Sequence, residues 1–172
     1  MQFGKQQLAA DYGPEVHGAL GTLVINFGML EAGLAFAIIS LAGADPGITR
    51  CLLQPLNFRQ RISVLEAIVR CQLPSLHEPD IREMIARLSD ANTRRNKWVH
   101  GIFGSDQEGG AFRFYSSLKE KKGYDVETIS IDAPLVLADA GFISGVAADV
   151  IAFALAVKGT PQSSEVRASH DQ

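Results

Sequence analysis

The chain has 172 residues, of which 47% are hydrophobic and 20% charged, and its net charge is −3. That length suits one domain with a real core, and the acidic balance argues against a general nucleic-acid sponge. Two cysteines, Cys51 and Cys71, show no metal-like spacing and read as reduced, small core residues of a cytoplasmic protein.

The opening MQFGKQQLAADYG lacks the basic-then-apolar order of an export signal. Pro14 and Glu15 suit a helix first turn, and Leu20, Leu23, Phe27, Leu30, Leu34, Ile38 and Leu41 follow in steps of three and four. From Val16 to Gly43 the only formal charge is Glu31, so the stretch is long enough to span a bilayer. A carboxylate in mid-run costs roughly 3 kcal/mol on insertion scales. Five glycines, His17 and Asn26 also interrupt the run, and no basic cluster flanks it, so a buried core helix is expected and no membrane.

GADPG (43–47) breaks that helix, and a short one is expected from Ile48 to Leu53. Asn57 then caps FRQRISVLEAIVRC, which would bury Phe58, Ile62, Leu65, Ile68 and Val69. QLPSLHEP reads as a loop. The next helix starts near Pro79–Asp80, with its stripe at Ile81, Met84/Ile85, Leu88, Ala91/Asn92, Arg95 and Trp98/Val99, and Gly101 as its stop. FGSDQEGG (103–110) has the composition of a loop. AFRFYSS (111–117) and YDVETISI (124–131) alternate around KEKKG and predict a β-hairpin. A last apolar helix, Pro134 to Val157, carries only Asp139 and Asp149. Residues 158–172 hold too little apolar surface to pack and are expected to be disordered. The expected fold is therefore mainly all-α: one domain over residues 1–157, an antiparallel bundle of four to five helices with a small hairpin before the last.

Charge is spread unevenly along these elements. Residues 1–47 carry −3, residues 48–122 carry +5 and residues 123–172 carry −5. The middle block is a candidate anion-facing region, although solvated helix faces produce the same surplus.

The end of the fourth long run breaks its own pattern. RRNKWVHG (94–101) places arginine, asparagine and histidine where core residues are due. At about 100° per residue Arg95 falls on the buried stripe, while Asn96 and His100 stand one turn apart along one edge. A long guanidinium stem can curl back toward the imidazole, so the three polar heads can converge. Burying an arginine is costly unless a carboxylate answers it, and Glu31 lies within about 40° of Phe27 and Leu34 on its own helix. A Glu31–Arg95 contact is expected on that ground. A structural ion pair with a capping histidine would explain these residues without any chemistry.

The pattern also resembles the HEPN superfamily, whose mark is an arginine, then asparagine, aspartate or histidine, then a few residues and a histidine. Arg95, Asn96 and His100 supply it as RNKWVH, and Glu31 in FGMLEAGL resembles the inward glutamate that many members carry on the first helix. The order of elements is similar over roughly residues 12–157. The resemblance implies an all-α bundle that commonly forms homodimers around a shared groove. In active members it implies metal-independent RNA cleavage of toxin–antitoxin or phage-defence type, with an antitoxin or other regulatory protein as a possible partner. Some members do not cleave and serve as binding or regulatory modules.

The chemistry can be rebuilt from the residues. Transesterification needs a base for the ribose 2′-OH, an acid for the leaving 5′-oxygen and positive charge at the phosphorane. His100 can serve as base or acid, and Arg95 can hold the phosphate with its planar fork. Asn96 would orient His100 or touch the substrate, while Arg94 and Lys97 add the only other basic character beside the motif and are the candidate RNA-binding residues. His17, His77 and His100 show no metal-ligand spacing, so no metal and no cofactor is expected. Trp98 could stack a base but is more simply core or interface. Three readings of the Arg95, Asn96 and His100 set stay open: a catalytic site, a retained ligand or partner site, and pure structure.

Overall fold

The computed structural model describes residues 13–73, 78–100, 102–105, 111–117 and 125–159. Five helices dominate: α1 (Gly13–Leu41), α2 (Pro46–Leu53), α3 (Phe58–Gln72), α4 (Glu78–Val99) and α5 (Ala133–Gly159). Between α4 and α5 lie β1 (Ile102–Ser105), β2 (Ala111–Ser117) and β3 (Asp125–Ser130). The protein is mainly helical.

Local chemistry starts the helices where the sequence places capping residues. Asp45 accepts hydrogen bonds from the Gly47 and Ile48 amides at 2.8 and 3.0 Å, with Pro46 in the first turn, so α2 begins two residues before the expected Ile48. Asn57 and Gln60 form a reciprocal capping box at the head of α3. Gly43 takes a φ of 64°, a conformation that favours glycine and lets the chain leave α1.

Successive helices alternate in direction. The Phe27 and Phe58 rings meet at 4.9 Å, and Gln72 Nε2 donates to the Ala42 carbonyl at 3.3 Å, so α3 runs parallel to α1. Asn26 Nδ2 donates to the Ala140 carbonyl at 3.0 Å, and further along Gly33 faces Ile151, so α5 also runs with α1. On α4 the order reverses, with Trp98 against Asp139 and Arg87 against Asp149. Consecutive helices are thus antiparallel, while the main packed pair, α1 and α5, runs parallel. The short return through α2 uses one reversal and puts every odd-numbered helix in one direction. A Cβ at Gly33 would sit 3.1 Å from Ile151 Cγ1, so its absence permits the close approach of these two helices.

The core draws on all five helices, with Leu23, Leu30, Leu34, Leu65, Leu88, Trp98, Val136, Ile143 and Val150 among its buried members. Cys51 and Cys71 are exposed rather than in it. Each stands two residues from a buried position, Thr49 and Leu53 in α2 or Val69 in α3, and two helical residues turn the side chain roughly 200° away. Both α1 and α5 are long and apolar enough to cross a membrane, while each buries a stripe within the bundle.

Where the sequence predicts a two-stranded hairpin, the structure has a three-stranded antiparallel sheet in the order β1-β2-β3. Ile102 pairs with Phe114 and Ser105 with Ala111; Phe112 pairs with Ser130 and Ser117 with Asp125. The extra strand, β1, takes up the start of the segment expected to be loop. The Gly101 stop, His77, the KEKKG tip and the tail from residue 160 lie outside the described residues. Lys158 and Gly159, expected in that tail, are the end of α5.

Candidate functional site

The last turns of α4 carry the motif, and the turn closes on a 3.2 Å bond from the His100 amide to the Asn96 carbonyl. Arg95 Nη1 donates to Asn96 Oδ1 at 3.0 Å and lies 2.7 Å from His100 Nε2. One guanidinium nitrogen therefore joins all three residues. Arg95 and Asn96 are half-buried, and His100 is exposed to solvent.

Hydrogen-bond chemistry fixes the state of this contact. A guanidinium has only donors, so in this hydrogen bond the imidazole Nε2 is the acceptor, which corresponds to the tautomer with its proton on Nδ1. The lone pair that a base would use is thereby held beside a positive charge. Among the described residues, Nε and Nη2 of Arg95 make no hydrogen bond and no carboxylate pairs with it. That edge is the planar fork suited to a phosphate.

The expected Glu31–Arg95 ion pair is absent among the described residues, and Glu31 is half-buried. Instead the Arg95 guanidinium stands 5.2 Å from the centre of the Phe27 ring, one turn before Glu31. The ring face offers a cation an attractive surface without neutralising it. Glu31 consequently has no ion-pair role among the described residues. Glu31→Gln should change the stability by less than about 0.5 kcal/mol in urea unfolding, since it breaks no such pair.

Arg94 is used differently. Its Nε and Nη2 bind Asp90 Oδ2 at 3.0 Å, its Nη1 binds Asp139 Oδ1 at 2.9 Å, and its guanidinium carbon lies 4.0 Å from the Phe142 ring centre. Partial burial alone would lower the Arg94 pKa, but the hydrogen bonds and charges of Asp90 and Asp139 more than reverse this and raise it. Two carboxylates thus answer this charge within the protein. Lys97 Nζ sits 4.9 Å from the Trp98 ring centre. Trp98 is 1% exposed, a core residue, and its indole donates to Asp139 Oδ2 at 2.6 Å.

Sequence reasoning missed Asp139. Its signal was present: one of only two carboxylates in an apolar helix needs donors, and Trp98 and Arg94 supply them. A cavity of about 330 Å³ lies elsewhere, lined by Ile81, Met84, Arg87, Val150 and Phe153 among others. It belongs to the other half of α4 and contains none of Arg95, Asn96 or His100. Comparison with family models, with curated proteins and with solved structures finds no match.

Proposed function

We propose that the chain is a HEPN-like, metal-independent endoribonuclease of toxin or defence type, acting in the cytoplasm with Arg95 and His100 as its catalytic pair. One observation carries this reading: an exposed imidazole accepts from a guanidinium that no described carboxylate neutralises. A structural ion pair would have answered Arg95 with Glu31 and left nothing for an anion.

In the proposed reaction a backbone phosphate binds the Nε/Nη2 edge of Arg95, and the ribose 2′-OH displaces Nη1 from His100 Nε2. The ring takes the 2′-OH proton, the 2′-oxygen forms a bond to phosphorus, and the bond from phosphorus to the 5′-oxygen breaks. That oxygen leaves with a proton from water. The products are a 2′,3′-cyclic phosphate and a 5′-hydroxyl. Arg95 stabilises the charge that grows on the phosphorane, and Asn96 holds the guanidinium in place through its side-chain oxygen.

Exposed Ile25 and Met29 on α1, with Leu137 and Leu155 on α5, leave apolar surface that a second copy would cover, in keeping with a homodimer. The alternative is a non-catalytic binding or regulatory module. It is favoured by the internal pairing of Arg94, which leaves Lys97 as the main flanking cation for RNA, while RNA affinity depends on phosphate neutralisation. Purified protein incubated with single-stranded RNA in EDTA separates the two. The ribonuclease reading requires cyclic-phosphate products; intact RNA under these conditions sinks it and favours the binding module.

A further inference from the structure

We propose that Asp139, on α5, is the positioning residue that sets the Arg95–His100 geometry. The proposal deepens the ribonuclease reading and rests on it for its catalytic readout. Asp139 Oδ1 accepts from Arg94 and Oδ2 from Trp98, residues one turn apart on α4. Its side chain is only 14% exposed, so both oxygens depend on these donors. Arg95 and Asn96 lie between the two clamped residues, and His100 follows two positions later.

Location separates this contact from an ordinary bundle ion pair. The last turn of a helix lacks the onward hydrogen bonds that hold an interior turn, and such turns open most readily. The final described helical bond of α4 is the 3.2 Å contact from the His100 amide to Asn96. Asp139 ties that turn to α5 from the side, while Asn26 of α1 bonds to the Ala140 carbonyl of the same α5 turn. Three helices thus converge directly behind the motif. The clamp also divides the labour of the adjacent arginines. Asp139 and Asp90 neutralise Arg94, whereas Arg95 keeps its charge for a ligand.

A control exists in the same pair of helices. Asp149 of α5 pairs with Arg87 of α4 at 2.6 Å, about two turns back from the motif. Asp139→Asn and Asp149→Asn in the full chain therefore each break an α4–α5 contact, the second more exposed and farther from His100. The ¹⁵N spectrum of the His100 ring should show the Nδ1-protonated tautomer in the wild type and after Asp149→Asn. After Asp139→Asn it should move toward the mixture of a free imidazole. Cleavage should fall at least about tenfold after Asp139→Asn, mainly in kcat, because misplacement of a catalytic pair acts on the reacting geometry. Trp98→Phe, which removes one donor and keeps an aromatic side chain in the core, should shift the tautomer in the same direction and serves if Asp139→Asn does not fold.

An unchanged His100 spectrum in both Asp139→Asn and Trp98→Phe, or an equal change in Asp149→Asn, overturns the proposal. A tautomer shift confined to the clamp variants, in a wild type that leaves RNA intact, supports the positioning role while removing the ribonuclease reading.

Discussion

His100→Ala should lower cleavage of single-stranded RNA in EDTA by about 10²- to 10⁴-fold, the usual contribution of a positioned general base, without a matching loss of stability. The ring is exposed, and its side-chain bond runs to Arg95, which keeps Asn96 and the Phe27 face as neighbours. Arg95→Ala should reach a loss of about 10²- to 10³-fold, the scale seen when one charge-stabilising donor is removed. Arg95→Lys should recover only part of this, because an ammonium keeps the charge but loses the Nε/Nη2 fork. Had Glu31 paired with Arg95, truncating the arginine would have stranded a carboxylate and cost several kcal/mol. With Phe27 as the neighbour, the loss should be about 1 kcal/mol. Melting curves beside initial rates make the test clean. Equal rates for wild type and His100→Ala would show that any cleavage belongs to something other than this imidazole.

The convergence of Arg95, Asn96 and His100 could be read from the sequence because it depends on local helical geometry alone. Arg95 and Asn96 lie at the end of one helix and His100 directly follows it. Five positions at about 100° each leave Arg95 and His100 about 140° apart, but a long guanidinium stem can curl back to the ring. The partner on α1 could not be read in the same way. Phe27 and Glu31 are one turn apart on the same face, and a helical wheel does not resolve which of them meets an arginine from another helix. Axial offset between packed helices decides that, and it comes from side-chain fit along the whole contact. The direction of α5 against α1 was hidden for a similar reason. Whether the short α2 counts as a reversal depends on where Leu53 and Phe58 find their core. Strand β1 was missed because Gly104 and Ser105 carry turn chemistry, while its pairing with Phe112 and Ala111 is tertiary. The Asn57 cap, by contrast, is a local device and stands where the sequence places it. The legible parts of the site were those that one helix can build alone.

Trp98→Ala should be the most damaging single change to stability, at about 3–5 kcal/mol, because it opens a large cavity in a packed core. It also strips Asp139 of one donor, which adds to the cost of keeping a poorly solvated carboxylate inside the bundle. At roughly 2–4 °C per kcal/mol for a domain of this size, the melting temperature should fall by about 6–20 °C. Trp98→Phe should lose much less, since much of the aromatic volume is kept, although the indole donor and part of the fused ring disappear. The ratio of the two losses separates packing from hydrogen bonding. If Phe were as costly as Ala, the bond to Asp139 would dominate, and the last turn of α4 would be held by polarity rather than by fit. If Phe were nearly neutral in stability while still disturbing His100, that bond would serve geometry at little thermodynamic gain. The second outcome is expected, because a ring that is 1% exposed in the core is anchored by its apolar surface before its single N–H is counted.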